Sequence, residues 1–149
     1  MHKFKRVGIG GTFDHLHEGH KALLRKAFEV GEKVIVGITT NVLLGRKTMR
    51  KLIYPYERRV GDIEKFLASE GKLDRAELVP ISRRFGTAVD DPQMEAVVVS
   101  QETSSVVREI NSARIKAGLT PLQPIVVKMI LGKDGEVIRS SKIREKLSS

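Results

Sequence analysis

Five short runs of apolar residues, separated by stretches with helical periodicity, dominate the hydrophobic pattern of this chain. The runs are rich in valine and isoleucine and lie at residues 7–9, 34–38, 76–81, 96–99 and 125–131. They alternate too little between apolar and polar positions for strands that have one face in water. We therefore predict five strands that are buried on both faces.

Between these runs, apolar residues recur three and four positions apart, which is the spacing of one helix face. The predicted faces are Leu23, Leu24, Ala27 and Phe28, then Val60, Ile63 and Leu67, then Val106, Ile110 and Ala113, the last ending before Gly118. Alternation of strands and helices is typical of parallel sheets. The chain is predicted to adopt an α/β fold, a Rossmann-like doubly wound sheet of five parallel strands in the order 3-2-1-4-5 with helices on both faces.

Length and composition favour one soluble domain over residues 1–149. Of the 149 residues, 40% are hydrophobic and 30% charged, and no repeat or linker divides them. No run approaches the roughly 18 apolar residues that a membrane helix needs, and the N-terminus lacks the apolar core of a signal peptide. We expect a cytosolic protein with no membrane partner. The absence of cysteine excludes disulfides and thiolate chemistry.

The balance of 27 basic and 18 acidic residues gives a net charge of +9, which should attract polyanions such as ATP or nucleic acid. Taken alone, this charge favours a solvated basic surface over a binding site, since only residues 46–51 and 83–84 concentrate it. Aromatic residues make up 5% of the chain and tryptophan is absent, so platforms for base stacking are scarce. We expect no nucleic-acid partner.

Ligands of doubly wound sheets bind beyond the carboxyl ends of the strands, and polar residues follow these strands. The first run is followed by residues 10–20, the second by 39–41, the fourth by 100–103, and the fifth by a loop that leads to 140–144. Phe13 stands where a dinucleotide fingerprint would need its third glycine, and no Walker A sequence is present.

The segment RVGIGGTFDHLHEGH, residues 6–20, has the features of a phosphate site. Gly10 and Gly11 permit close backbone approach, and a helical pattern opens at Gly19 and His20. His17 and His20 are three residues apart around the start of that helix, so both imidazoles could reach one phosphate, to which Thr12 could also donate its hydroxyl.

A metal site is the competing interpretation of this segment. His15, His17 and His20 fall within six positions, and imidazole is a common metal ligand. No neighbouring pattern resembles a hydrolytic zinc motif, and Asp14 is equally well explained as a cap for the turn or the helix. We therefore predict no metal ligands of the protein itself.

Serines open a second helical pattern near the C-terminus. Ile143 and Leu147 would form its apolar face, and Arg144 stands three positions after Ser141, where a capping box would have Glu or Gln. The first-turn N–H groups would then be open to an anion. An ordinary C-terminal helix is the alternative.

The first motif resembles the G-T-F-D-x-x-H-x-G-H signature of the nucleotidyltransferase superfamily. Over nearly the whole chain, the sequence resembles the archaeal and eukaryotic type of phosphopantetheine adenylyltransferase. The pieces that carry this resemblance are GGTFDHLHEGH, ITTNVLLGRK with YPYERR, DDP followed by VVVSQET, residues 111–114, and SSKIR. The first motif indicates the chemistry, and VVVSQET with the Pro-Tyr-Glu-Arg stretch indicates the narrower group.

The resemblance implies transfer of the adenylyl group of ATP to 4'-phosphopantetheine, which gives dephospho-coenzyme A and pyrophosphate, with Mg²⁺ bound to the nucleotide. It assigns His17 and His20 to the ATP phosphates, Thr12 to the junction of the substrates, and Lys47, with Lys51 nearly as good, to the acceptor phosphate. Further ATP-binding positions implied by the resemblance are Gly11, Phe13, Ser100, Glu102, Thr103, Ser140, Ser141, Lys142, Ile143 and Arg144. In either case Thr103 is expected to be a helix N-cap.

Several alternatives stay open at this point. Another nucleotidyltransferase, acting on glycerol phosphate, nicotinamide mononucleotide or a flavin, would keep His17 and His20 and change the base and the acceptor. A basic nucleic-acid-binding domain would instead show a steep dependence of binding on salt. Arg83 and Arg84 suit an acceptor-phosphate role and a solvated loop equally well, and the oligomeric state is open.

Overall fold

Five parallel strands form one sheet in the part of the chain that the computed structural model describes, residues 3–40, 53–82, 85–101 and 103–128. The strands are β1 (Phe4–Gly11), β2 (Gly31–Thr39), β3 (Ala76–Ile81), β4 (Ala96–Ser100) and β5 (Gln123–Val127). The helices are α1 (Glu18–Val30), α2 (Tyr56–Ser69) and α3 (Val106–Lys116), with 3-10 turns at Leu73–Arg75 and Gly86–Val89. The strand order is β3-β2-β1-β4-β5, which confirms the predicted topology.

Alternate residues of the strands separate the core into two layers, one on each face of the sheet. The layer under α1 and α2 contains Val7, Ile9, Val34, Val36, Ile38, Ala96 and Val98 with Leu24, Phe28, Ile63 and Leu67 of the helices. The layer under α3 contains Ile35, Met94, Val97, Val107, Ile110 and Leu122. Helices on both faces of the sheet make it doubly wound, as the apolar spacing predicts.

The strand boundaries and the burial of the edge strands differ from the sequence predictions. β1 and β2 start three residues earlier than predicted, because backbone pairing continues to the partners Phe4 and Gly31. β5 ends at Val127, whereas the prediction ran to 131, and residues 129–131 lie outside the described residues. β3 and β5 each pair with one described strand, so they are only partly buried, and Val126 is 48% exposed.

In the described residues, no helix is long and apolar enough to cross a membrane.

Candidate active site

The carboxyl ends of β1, β2 and β4 lie at one edge of the sheet, and polar side chains make hydrogen bonds there. The hydroxyl of Thr39 donates to the carbonyl oxygen of Gly11 at 3.1 Å. The hydroxyls of Ser100 and Thr103 lie 3.0 Å apart, and the backbone N–H of Ser100 donates to Thr103 Oγ1 at 3.2 Å. The predicted gathering of polar residues at the strand ends is thus present for these residues.

Thr103 does not cap a helix, so that prediction is wrong. α3 begins at Val106, and Ser105 occupies its N-cap position without a capping hydrogen bond from its side chain. The three residues from Thr103 to Ser105 form a turn, which Val106 N closes by donating to the carbonyl of Thr103 at 3.0 Å. The Thr103 hydroxyl is therefore directed to Ser100, at the end of β4.

His17 and His20 cap the N-terminus of α1 reciprocally. His17 is the N-cap, and its Nδ1 accepts a hydrogen bond from the backbone N–H of Gly19 at 3.1 Å. His20 Nδ1 accepts from the backbone N–H of His17 at 3.4 Å. The two rings are stacked, with centroids 3.8 Å apart and planes at 17°. This is a capping box in which imidazoles replace the usual hydroxyl and carboxylate.

The capping fixes the protons of both rings. Because each Nδ1 accepts a backbone hydrogen bond, a neutral ring carries its proton on Nε2, which is then a donor. His17 Nε2 is buried and has no hydrogen-bond partner in the part of the chain that the structure describes. A buried donor at the positive end of a helix is suited to an anionic oxygen.

Burial keeps both histidines neutral. It lowers the pKa of His17 from 6.5 to about 4, with Glu18 opposing the shift and His15 adding to it. It lowers the pKa of His20 from 6.5 to about 3, and the neighbouring His17 lowers it further while Asp14 opposes. At pH 7 the stacked rings are therefore uncharged donors and do not repel each other.

The turn between β1 and α1 is strained. Phe13 has φ 53° and His15 has φ 49°, both in the left-handed region that disfavours side chains. Phe13 is 3% exposed and places its ring against His20 in an edge-on contact with centroids 5.5 Å apart. The strained turn thus contributes directly to the surroundings of His20.

Asp14, between the two strained residues, is fully buried. Its Oδ1 accepts from the backbone N–H of Tyr54 at 2.8 Å, and its Oδ2 lies 2.7 Å from His15 Nδ1. The helix cap is His17, so Asp14 is not the cap of α1. The ring of His15 packs on Tyr54 with centroids 4.1 Å apart.

His15 is thus held against Asp14 and Tyr54, whereas the rings of His17 and His20 stack on each other. In the described residues no group of three or more His, Asp or Glu side chains is placed to hold a metal ion. The three-histidine metal site, the minority interpretation of the sequence, is not formed.

Arg59 of α2 is a further residue at this edge, and the sequence prediction missed it. It is fully buried, and its guanidinium donates to three backbone carbonyls: Tyr54 at 2.9 Å, Thr12 at 3.0 Å and Thr39 at 2.6 Å. Burial lowers the pKa of Arg59, and the charge of Asp14 opposes that shift. The available signal was position: Arg59 lies four residues before Ile63 and eight before Leu67, on the apolar face of the helix.

An apolar cavity of about 330 Å³ lies on the α3 face of the same edge. Three glycines, Gly8 and Gly10 of β1 and Gly37 of β2, line it where other residues would project side chains. A Cβ on Gly37 would lie 2.5 Å from Ile81 Cδ1, and one on Gly8 would lie 2.6 Å from Met94 Sδ. The remaining walls include Ile35, Phe85, Val97 and Val99, with Ser100 and Thr103.

The sequence did not indicate this cavity. Gly10 was expected to admit a phosphate, but a Cβ built on it would lie 3.2 Å from Ile81 Cδ1, on the side of the cavity. Gly10 pairs with Gly37 in the register of β1 and β2, so the space depends on a pairing that separate segments do not reveal.

Several predicted site residues lie outside the described residues. They are Lys47, Lys51, Arg83, Arg84, Glu102, Ser140, Ser141, Lys142, Ile143 and Arg144. The predicted residues that are described fall in two places. The stretch from the end of β1 to the first turn of α1 contains Gly11, Thr12, Phe13, His17 and His20, and the end of β4 with the turn after it contains Ser100 and Thr103.

Comparisons with known proteins identify the group to which these features belong. The model of the cytidylyltransferase-like family matches residues 9–146. The phosphopantetheine adenylyltransferase of Methanopyrus kandleri is 43% identical over 142 residues, which cover 95% of this chain and 90% of the relative. That of Pyrococcus abyssi is 45% identical over 144 residues, covering 97% and 91%. The chain belongs to the phosphopantetheine adenylyltransferase family.

A solved structure agrees with this fold. The crystal structure of a protein with unknown function from Archaeoglobus fulgidus matches with a TM-score of 0.73 and 28% identity, over 82% of this chain and 88% of that one. The resemblance inferred from the motifs is confirmed by the adenylyltransferase relatives, which align with almost the entire chain.

Proposed function

We propose that this chain transfers the adenylyl group of ATP to 4'-phosphopantetheine, forming dephospho-coenzyme A and pyrophosphate. The observation that carries the proposal is the pair of stacked, neutral histidines whose Nε2 donors lie at the N-terminus of α1. The relatives named phosphopantetheine adenylyltransferase, 43% and 45% identical to this chain, support the choice of substrates.

The reaction suits a site without a strong base. The terminal phosphate of the acceptor is already ionised, and one of its oxygens forms a bond to the α-phosphorus of ATP. The bond from that phosphorus to the oxygen bridging the β-phosphorus breaks, and the electron pair leaves with pyrophosphate. Catalysis then consists of positioning the two phosphates and stabilising the negative charge that develops on their oxygens.

In the proposed complex, His17 and His20 donate from Nε2 to oxygens of the ATP phosphates, with His20 nearest the transferred group. The helix N-terminus adds partial positive charge, worth about 0.3–1 kcal/mol for an exposed anion and up to about 2 kcal/mol in a partly buried geometry. Neutral donors suit the site because they are already oriented by their backbone caps. Thr12 is proposed to contact both substrates.

The apolar cavity is the proposed site of the pantetheine arm. It opens at the edge of the sheet that also holds the α1 N-terminus, and it is lined by Ile81, Phe85 and Met94. Ser100 and Thr103, which the family resemblance assigns to ATP, line the same cavity. In this proposal their hydroxyls instead serve the amides of the arm. This assignment would place the phosphate of the acceptor toward β1 and the histidines.

Roles for the residues outside the described part rest on the family resemblance. They comprise Lys47, or Lys51, at the acceptor phosphate, Glu102 beside the nucleotide, and residues 140–144 at the triphosphate. The proposed contacts of Gly11 and Phe13 with ATP rest on the same resemblance.

Magnesium is proposed as the counter-ion of ATP. The described residues at this edge do not fit it as direct ligands: Asp14 is fully buried with both oxygens engaged, and the neutral histidines present N–H donors. Mg²⁺ commonly keeps waters and binds through substrate phosphates. No step of the mechanism is assigned to it.

The test is a matrix of nucleotides and acceptors, with pyrophosphate release as the readout and magnesium present throughout. ATP with 4'-phosphopantetheine should react, and CTP with glycerol 3-phosphate or ATP with nicotinamide mononucleotide should not. Release with one of these other pairs would keep the mechanism and reject the substrates. If no pair releases pyrophosphate, the proposed enzymatic activity is rejected.

A further inference from the structure

We propose that Arg59 is a positioning residue for adenylyl transfer, which holds the turn carrying Thr12 and Phe13 in the geometry that the reaction needs. The inference rests on the proposed function. Arg59 does not itself have to touch a substrate, because it is fully buried and its donors are directed to the backbone.

The three carbonyls that Arg59 binds belong to three separate stretches of chain. Thr12 lies in the turn after β1, Thr39 ends β2, and Tyr54 precedes α2. Thr39 is also bonded to β1, because its hydroxyl donates to the carbonyl of Gly11. A planar guanidinium with donors in fixed directions can join three acceptors, and a lysine ammonium reaches them less well.

The peptide groups of Tyr54 are bound from two sides. Its N–H donates to Asp14 Oδ1 at 2.8 Å, and its carbonyl accepts from Arg59 Nε at 2.9 Å. Asp14 and Arg59 thereby anchor the turn to the start of α2. Both charges are fully buried, and this surrounding network compensates for their desolvation.

The anchored turn is the strained one. Phe13 and His15, on either side of Asp14, have positive φ, which persists in non-glycine residues only when surrounding contacts impose it. The positive φ of Phe13 accompanies its ring contact with His20. Arg59 is therefore connected, through Thr12 and through Tyr54 and Asp14, to the surroundings of His20, which we propose to bind an ATP phosphate.

The chain offers a matched control at the other end of β2. Arg75 also donates to three backbone carbonyls, those of Gly31 at 3.0 Å, Glu32 at 3.3 Å and Phe28 at 3.2 Å. These carbonyls lie at the end of α1 and the start of β2, away from the carboxyl edge. Loss of the half-buried Arg75 also removes bonds to three backbone carbonyls, but none of them belongs to the turn.

The experiment compares Arg59→Met, Arg59→Lys and Arg75→Met with the wild type. kcat and both KM values are measured at a temperature where circular dichroism shows each variant folded, and ATP affinity is measured by calorimetry. Because a misplacement of about 1 Å can cost about 100-fold in rate, kcat should fall roughly 100-fold in Arg59→Met and less in Arg59→Lys. KM for the acceptor should change little, and Arg75→Met should keep kcat within about twofold.

Each outcome decides the matter. If Arg59→Met does not fold, Arg59→Lys replaces it, and a folded Lys variant with wild-type kcat overturns the inference. Equal loss of kcat in the Arg59 and Arg75 variants also overturns it, since the effect would then follow stability alone. If the wild type shows no turnover, the proposed function fails, and the affinity for ATP then tests Arg59. The inference is overturned if wild type and Arg59→Met bind ATP with equal affinity, or if neither protein binds ATP.

Discussion

Substitution of Gly37 by alanine should obstruct the apolar cavity that we propose for the acceptor, with little damage to the fold. A Cβ at this position would lie 2.5 Å from Ile81 Cδ1 and 2.9 Å from its Cγ1, which is closer than real contacts allow. The end of the Ile81 side chain must therefore turn away from the sheet. Ile81 lines the cavity, so the cavity is the open space into which it can move.

The magnitude follows from the size of the intrusion. A forced side-chain torsion costs about 0.5–1.5 kcal/mol, which sets the expected loss in the free energy of unfolding. A methyl-sized change in a fitted apolar pocket is worth about 1–3 kcal/mol, or roughly 10- to 200-fold in kcat/KM. We expect this loss to be a rise in KM for 4'-phosphopantetheine, with KM for ATP unchanged.

The assay is steady-state pyrophosphate release with each substrate varied in turn, together with urea unfolding. Gly61→Ala is the control, since a Cβ on Gly61 meets no atom within 4 Å and alanine in a helix should add about 0.5–1 kcal/mol of stability. Adding Ile81→Val to Gly37→Ala removes the Cδ1 methyl and should lower the acceptor KM again. An acceptor KM within about twofold of wild type in folded Gly37→Ala would refute the reasoning.

Three further predictions concern the histidines and the second buried arginine. His17→Asn should leave the stability of α1 nearly unchanged, because asparagine is a good N-cap, but should weaken ATP binding roughly 10- to 100-fold in calorimetry through loss of the Nε2 donor. Since burial lowers the pKa of His17 from 6.5 to about 4 and that of His20 to about 3, the unfolded chain binds more protons between those values. The free energy of unfolding should therefore fall as the pH falls from about 6.5 toward 4, and a flat profile in urea titrations would contradict the assignment of neutral rings. Arg114→Met should cost about 1–3 kcal/mol or more in urea unfolding, because Arg114 is fully buried and the carbonyls of Thr120, Ala88, Asp91 and Met94 lose their donor. A loss below about 1 kcal/mol would contradict that role.

Local patterns predicted the topology and the position of the histidines. The apolar runs and the helical spacing each lie within one element, and their alternation is enough to imply the parallel sheet that is observed. His17 and His20 are neighbours on the first turn of one helix, so their proximity follows from the sequence alone. Strand ends were less predictable, because Phe4 and Gly31 join the sheet through backbone pairing without an apolar run.

Features that depend on contacts between distant segments were not predicted. Arg59 bonds residues 5, 20 and 47 positions away, so its position on the apolar face of α2 could have indicated burial, but its partners cannot be read from the sequence. The cavity depends on glycines of two strands in register. The error at Thr103 is local instead: threonine at a helix start is usually a cap, but here the helix begins at Val106, and the Thr103 hydroxyl bonds to Ser100, three residues before it.

The most direct test of the central claim is product formation by wild type and His20→Ala with ATP, magnesium and 4'-phosphopantetheine, followed by mass spectrometry and a pyrophosphate assay. The account predicts dephospho-coenzyme A and pyrophosphate in equal amounts, formed only when both substrates are present, and a large loss of rate in folded His20→Ala. A wild type that forms no adenylylated product from this pair, or a His20→Ala variant with wild-type kcat, would contradict it.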